Sequence, residues 1–245
     1  MNNIVFIINV KKDGQSKPEY DFSIKSWKHF CQSNGHELFV LDTPIVEQSE
    51  MGIIWQRYFL FDLLDHNQIK YNQILIVDAD TIVHPNCPDI FSLTDNKYTL
   101  VRDDGDYDWI LRSMENYRKF IFKDEPMFDW WTYYNSGFQV VNGTHRNFFD
   151  TMRNFYISNR EEIKWCQKTF GVGTDQTPLN FLLRREKIEI KELSYKYKKE
   201  VLDSDMLHTK VANVMHFNGL PDKDKSVPYW MEMTYKNLYE NRDNR

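Results

Sequence analysis

Apolar and polar positions alternate along this chain with periods that change every ten to fifteen residues, and those changes outline an α/β protein. Ile4 to Val10 form a nearly unbroken apolar run, the pattern of a strand buried on both faces. The polar, turn-prone stretch KKDGQSKPEYD follows. From Ser23 to Ser33, Ile24, Trp27, Phe30 and Cys31 recur at helical spacing, and Asn34 with Gly35 supplies a stop. His36 to Leu41 read as a second strand. Ile53 to Leu64 carry a broad stripe of Trp55, Tyr58, Phe59, Phe61, Leu63 and Leu64, which predicts a second helix. A third strand starts near Gln73. This βαβαβ order implies parallel strands joined by right-handed crossovers with helices packed on the sheet.

The pattern continues with a short strand over Tyr98 to Arg102, a helix over Trp109 to Phe122 and a strand over Phe138 to Val141. A helix with an N-cap residue at its start follows over Thr144 to Ile157, and another runs from about Thr177 to Arg185. Ile188 to Leu193 and Val211 to Phe217 read as extended. Residues 221–245 are polar and aromatic, with a charged end, NRDNR, expected to fray. The chain shows no repeat and no low-complexity linker, so one compact unit is expected.

Composition narrows the function only a little. A net charge of −5 with 27% charged residues offers no general attraction to a phosphate polymer. Cys31, Cys87 and Cys166 are widely spaced, odd in number and outside any C-x-x-C arrangement, so neither a disulfide framework nor a zinc site is expected, and a reducing cytoplasm fits. The opening apolar stretch is shorter than a membrane span and lacks a basic leader, and no later run reaches the roughly 20 apolar residues of a spanning helix. Stable membrane insertion is therefore not expected.

The segment ILIVDADTIV, residues 74–83, carries the sharpest chemistry. Asp78 and Asp80 follow four aliphatic residues, and charge so close to a buried strand is costly unless something pairs it. Residues i and i+2 share a strand face at about 6 to 7 Å, so a turn at the strand end can bring both carboxylates to one hard cation. Ala79 between them is small enough to pack inward. In open α/β sheets, ligands sit outside the carboxyl ends of strands, as here. An Asp-rich turn is the plainer alternative.

Four further patches accompany this pair in a fixed order: WQR at 55–57, YYNSGFQVVN at 133–142, GTDQTPLNFLL at 173–183 and HFNG at 216–219. With them the chain resembles the retaining, nucleotide-sugar-dependent glycosyltransferases of family 8, the group of glycogenin and the lipopolysaccharide galactosyltransferases, over about residues 3–225. The resemblance implies a GT-A fold: a Rossmann-like, mostly parallel sheet flanked by helices, with a nucleotide-binding half over about 1–105 merged with an acceptor-binding half over about 106–225, and a polar tail over 226–245. It implies a Mn²⁺ cofactor, with Mg²⁺ as the second choice, a UDP-glucose or UDP-galactose donor, and an acceptor that is a glycan, protein, lipid or modified nucleic acid. Asp78 and Asp80 match the D-x-D motif and His216 the third metal ligand; an imidazole with two carboxylates suits Mn²⁺ better than Mg²⁺. Asn135, Ser136 and Gly137 resemble the donor-sugar segment, while Asp175 and Gln176 match the pair beside the anomeric carbon, with Asn180 following. Arg57 resembles a basic residue that reaches the donor. Asp103 or Asp104 matches a carboxylate holding a sugar hydroxyl, and Asn9 a contact to the base. The family usually reads H-F-x-G-x-x-K-P-W; here Gly219 is kept but Asp222 stands in the place of the diphosphate lysine, which leaves Lys223 or Lys225 as substitutes.

Each residue also has a plainer reading. His216 alone is an ordinary core or surface histidine, Asp175 and Gln176 can cap the helix that starts near Pro178, and Arg57 can be a solvated helix residue. The aromatic run FDWWTYY, residues 128–134, is core or, at the cleft, a stacking surface in which Trp130 and Trp131 meet an acceptor. The expected activity is transfer of a hexose with retention at the anomeric carbon. The rivals are a sugar nucleotidyltransferase, disfavoured because the loop after the first strand holds a single glycine, and a nucleotide-sugar-binding protein that has lost catalysis.

Overall fold

In a computed structural model of the protein, residues 1–10, 17–194, 197–200 and 212–240 are described. Residues 11–16 and the NRDNR end lie outside these, as do residues 195–196 and 201–211, so the expected strand beginning at Val211 is seen only from Val214.

The first half follows the periodicity. Strand β1 (Asn2–Ile8) leads into helix α1 (Tyr20–Asn34), and β2 (Glu37–Leu41) pairs parallel to β1. Gly35 ends α1 in the left-handed region at φ 71°, a geometry glycine adopts without a Cβ clash. Strand β3 (Tyr71–Val77) pairs parallel to β1 on its other side. After β4 (Thr81–Val83) come β5 (Tyr98–Arg102), α3 (Tyr107–Phe120), β6 (Tyr134–Asn142), α4 (Arg146–Phe170), α5 (Gln176–Arg185) and β7 (Ile190–Leu193). The main sheet runs β2-β1-β3-β6-β5-β7. β6 is antiparallel to both neighbours and the other pairings are parallel. A second sheet joins β4 to β9 (Val214–His216) and the short β8 (Lys199–Glu200).

Period-2 alternation splits the core cleanly across the main sheet. Ile4, Phe6, Ile74, Ile76, Tyr98 and Leu100 face one cluster with Trp55, Tyr58, Phe149 and Met152. Val5, Ile7, Leu75, Val77, Phe138 and Val140 face the other with Trp27, Phe30 and Cys31 of α1. Both faces are covered, which is why these strands carry little polar alternation.

Three elements depart from the periodicity. The helix expected over 53–64 is a 3₁₀ stretch, Ile53–Phe59, followed by a short α2 (Leu60–His66). Trp55, Gln56, Arg57 and Tyr58 are all buried, and because consecutive residues at three per turn point to different sides, the stretch is covered all round. Gln56 then stitches the preceding loop, accepting from Ile45 N at 2.7 Å and donating to Val46 O and Met51 O, each at 2.9 Å. Helix α4 does not stop at Ile157: it kinks at Asn159 (φ −125°) and continues to Phe170, burying Ile163 and Cys166 on a segment whose charges mask the stripe. The stretch after residue 221 holds helix α6 (Lys223–Tyr235) with Met231 and Val227 buried, and Tyr239 donates to Val83 O at 2.6 Å. Among the described residues, no helix is long and apolar enough to cross a membrane.

Candidate active site

The D-x-D turn leaves β3 at the carboxyl edge of the sheet and is held through Asp78 and Asp80. Asp78 N donates to Gly137 O at 3.1 Å, Thr81 Oγ1 donates to Asp78 O at 2.7 Å, and Phe217 N donates to Asp80 O at 2.9 Å. Trp27 Nε1 locks Thr81 from below at 2.9 Å, and Ala79 packs inward. Register then brings in the third residue: in the β4–β9 pair Thr81 lies opposite His216, which sets the imidazole beside the turn. His216 Nε2 is 3.1 Å from Asp80 Oδ1 and 3.7 Å from Asp78 Oδ2, and one ligand atom from each residue lies within 4.8 Å of the others. Burial works against the Asp80 charge, but His216 and, from the start of α6, Lys223 outweigh it and hold the carboxyl below its ordinary range.

Two features fit this cluster to a divalent cation. Two carboxylates and an imidazole are an oxygen-rich set with one nitrogen, and carboxylates packed this close repel each other less when a cation lies between them. Gly137 leaves the space open: a Cβ there would fall 2.9 Å from Asp78 Cγ and 2.9 Å from His216 Cε1.

Behind the cluster lies a buried ionic layer. Arg57 is 3% exposed, and its guanidinium donates to Asp78 Oδ1 at 2.8 Å, Ser136 O at 2.5 Å and Ile54 O at 3.0 Å, with Asp175 Oδ2 at 3.5 Å. Its pKa stays above the ordinary value: desolvation opposes the charge, and Asp175 and Asp78 overcome it. Asp175, 1% exposed, also accepts from Tyr58 Oη at 3.1 Å and Ser136 Oγ at 3.2 Å. Burial nonetheless raises its pKa, with Arg57 pulling the other way.

Beside this layer is an amide–carboxylate network on β6. Asp103 Oδ2 accepts from Asn135 Nδ2 at 2.9 Å and Gln176 Nε2 at 2.6 Å, and Gly105 N donates to Asp103 Oδ1 at 2.9 Å. Gln176 Oε1 accepts from Ser136 N at 3.0 Å, and Asn135 Oδ1 from Gly137 N at 2.8 Å. The structure thus joins Arg57, Asp78, Asp80, Asp103, Asn135, Ser136, Gly137, Asp175, Gln176 and His216 into one connected region. Asn180 serves the scaffold, pairing both ways with the Tyr134 backbone at 2.8 and 2.7 Å.

The remaining expected residues divide. Lys223 lies close enough to act on Asp80, whereas Lys225 is 84% exposed and pairs with Asp222 at 3.0 Å. Asp104 lies 3.8 Å from the Nζ of the buried Lys198. Gly219 is in the turn after β9, and Asn9 follows β1 with its N–H on Leu41 O at 2.8 Å; among the described residues no side-chain bond ties Asn9 to the cluster. Three residues at the site were missed by the sequence reading. Tyr58 looked like part of an aromatic helix stripe, and Lys198 sits in a run of lysines without pattern. Tyr20 opens α1, where burial first and then the fields of Asp80, Glu19 and Asp78 raise its phenol pKa; its position after the Lys17-Pro18 turn carried no chemical signal.

No family model matches the chain, and no curated protein matches it. Among solved structures, the crystal structure of a glycosyltransferase involved in the glycosylation of the major capsid of PBCV-1 superposes with a TM-score of 0.64 at 15% identity, covering 95% of this chain and 100% of that one. The likeness establishes the architecture: a mixed α/β, GT-A-like fold with a mostly parallel central sheet flanked by helices.

Proposed function

We propose that this protein is a metal-dependent glycosyltransferase that moves a hexose from a UDP-sugar to an acceptor with retention at the anomeric carbon. The observation that carries the reading is the Asp78–Asp80–His216 cluster at the strand edge of a GT-A-like fold. These three residues would hold the cation, Mn²⁺ by the preference of a mixed imidazole–carboxylate set. When bound, such a cation offsets the charge that develops on a departing diphosphate.

The chain's own groups supply the rest. Lys223, at the start of α6, whose charge acts on Asp80, takes the role of the missing motif lysine and adds positive charge beside the diphosphate. Asn135, Asp103 and Gln176 form a linked set whose amides and carboxylate present donors and acceptors to sugar hydroxyls. Arg57 is a positioning residue: its donors hold Asp78 and the Ser136 carbonyl, so its charge reaches the donor through Asp78.

Asp175 bears on the stereochemical route. A double displacement needs a carboxylate free to attack beneath the anomeric carbon. Asp175 is buried, and both of its oxygens accept hydrogen bonds from Tyr58 and Ser136. This favours a front-face route, in which the bond from C1 to the UDP oxygen breaks as the acceptor oxygen bonds C1 on the same face, and the acceptor proton passes to UDP. A glycosyl adduct trapped on Asp175 and seen by mass spectrometry would overturn that route.

Calorimetric titration with UDP, with and without Mn²⁺, tests the reading, together with hydrolysis of UDP-glucose and UDP-galactose. Manganese-dependent binding with slow release of free sugar is expected. Asp80→Ala should abolish the metal dependence and lower turnover at least about 100-fold, roughly 3 kcal/mol of barrier. Pyrophosphate among the products would favour a nucleotidyltransferase. Binding without turnover would favour the catalytically impaired reading, for which Asp222 is the motivation.

A further inference from the structure

Tyr107, Trp130 and Trp131 expose 51%, 40% and 50% of their surface on one short stretch of the molecule. Trp130 and Trp131 form a 3₁₀ turn just before β6, and Tyr107 opens α3. The rings stand edge to face, Tyr107 against Trp130 at 4.7 Å between centroids and Trp130 against Trp131 at 5.8 Å. An apolar surface this large on a wet face usually meets a ligand or partner.

The turn that presents the rings is built to hold them. Thr132 N and Oγ1 donate to Asp129 O at 2.9 and 2.7 Å, and Arg184 of α5 clamps Thr132 from beneath, donating to its carbonyl at 2.6 Å and its hydroxyl at 2.7 Å. The same turn runs straight into the donor-side network: Tyr133 N donates to Trp130 O at 3.0 Å, and Tyr133 O accepts from Asp103 N at 2.8 Å. Only two bonded steps separate the tryptophan backbone from the carboxylate that Asn135 and Gln176 share.

We infer that Tyr107, Trp130 and Trp131 are the acceptor platform and that the acceptor is a neutral saccharide, an inference that rests on the glycosyltransferase reading above. A pyranose ring has an apolar face of C–H bonds that packs on aromatic rings, while its rim of hydroxyls bonds polar groups at the ring edges. The charges around the platform decide among acceptor classes. Asp103, Asp104, Asp106 and Asp108 border it, so a nucleic acid or anionic lipid surface meets repulsion. Yet these carboxylates are already engaged: Asp103 by Asn135 and Gln176, Asp104 by Lys198, Asp106 by the backbone of α3, and Asp108 by Arg112 at 3.5 Å. Hydroxyls find carboxylate oxygens with accepting capacity left, and the exposed ring faces favour a saccharide over a cationic peptide, which the test carries as the rival.

The full chain is given UDP-galactose or UDP-glucose with Mn²⁺ and a panel of lactose, maltose, cellobiose and chitobiose, with a lysine-rich peptide and a single-stranded oligonucleotide alongside. A neutral disaccharide is expected to accept the sugar. In the double variant Trp130→Ala/Trp131→Ala, kcat/KM for that saccharide should fall at least about tenfold. Its UDP binding and its hydrolysis of the donor in water should stay at wild-type levels. Trp165→Ala, an equally exposed tryptophan on α4, should change none of these. Unchanged saccharide kinetics in the double variant, or preferential labelling of the peptide or oligonucleotide, overturns the inference. So does failure of every saccharide to accept from an enzyme that hydrolyses the donor. A wild type that neither binds UDP nor hydrolyses a donor brings down the transferase reading itself, which separates the two failures.

Discussion

At position 137 a single methyl group would have to share space with the Asp78 carboxyl carbon and the His216 ring, each 2.9 Å away. Real Cβ contacts do not come that close, and β6 is pinned there by Gly137 O on Asp78 N, so the strand has little room to retreat. Gly137→Ala should therefore leave the fold standing and push the two ligands apart, weakening Mn²⁺ binding by about 10- to 100-fold in calorimetry. An unchanged affinity would mean the cation does not use Asp78 and His216 together. Asp175 makes a second argument at this scale. Its folded-state pKa is raised from the ordinary 3.8, so the native state holds the proton more tightly than the unfolded chain. Its stabilising contribution is full below that ordinary value and is lost as pH rises toward the folded-state value. Urea unfolding of the protein and of Asp175→Asn across acid to neutral pH should show the wild type losing ground to the variant over this window. Parallel curves would indicate that Arg57 fully compensates the buried carboxylate.

At the scale of elements, helix α6 shows what a polar-looking stretch can hide. Its buried side is narrow, Val227 and Met231 against Ile82, Phe217 and Leu220, and Pro228 inside it removes the N–H that would bond Asp224 O. Met231→Ala should cost about 2 to 5 kcal/mol in urea unfolding, as for a core residue; a loss near zero would mean the helix is only loosely attached. The sequence was legible where one period held: the βαβαβ opening, the Asn34–Gly35 stop and the strand ahead of Asp78 all follow from spacing alone. It failed where tertiary packing overrode the period. Arg57 and Tyr58 lie in a 3₁₀ stretch that neighbouring elements cover on every side, and Ile163 and Cys166 extend α4 past the Asn159 kink behind a screen of charges. The candidate site reads the same way. Asp78, Asp80 and His216 stand in short motifs, but Tyr20 and Lys198 reach the site through elements whose approach only the folded chain determines.

For the molecule as a whole, the candidate cation joins separate parts. Asp78 and Asp80 belong to the main sheet's edge and His216 to the second sheet, and their partnership spans 136 residues of sequence. A ligand that binds only the native state stabilises it by mass action, so Mn²⁺ at about 100 times its Kd should raise the unfolding free energy by about 2.7 kcal/mol. Differential scanning with and without the metal measures this, and Asp80→Ala should erase the difference. A shift that persists in the variant would place the cation elsewhere.

The late arrival of His216 has a consequence for how the protein is made. All six strands of the main sheet end by Leu193, so a chain synthesised that far already contains the main sheet and both aspartates. It lacks the third candidate ligand until synthesis passes β9. On the proposed reading, a chain that stops short of β9 would hold two of the three cation ligands, so the last short strand would act as a completeness check on translation: shorter products would not consume nucleotide sugar.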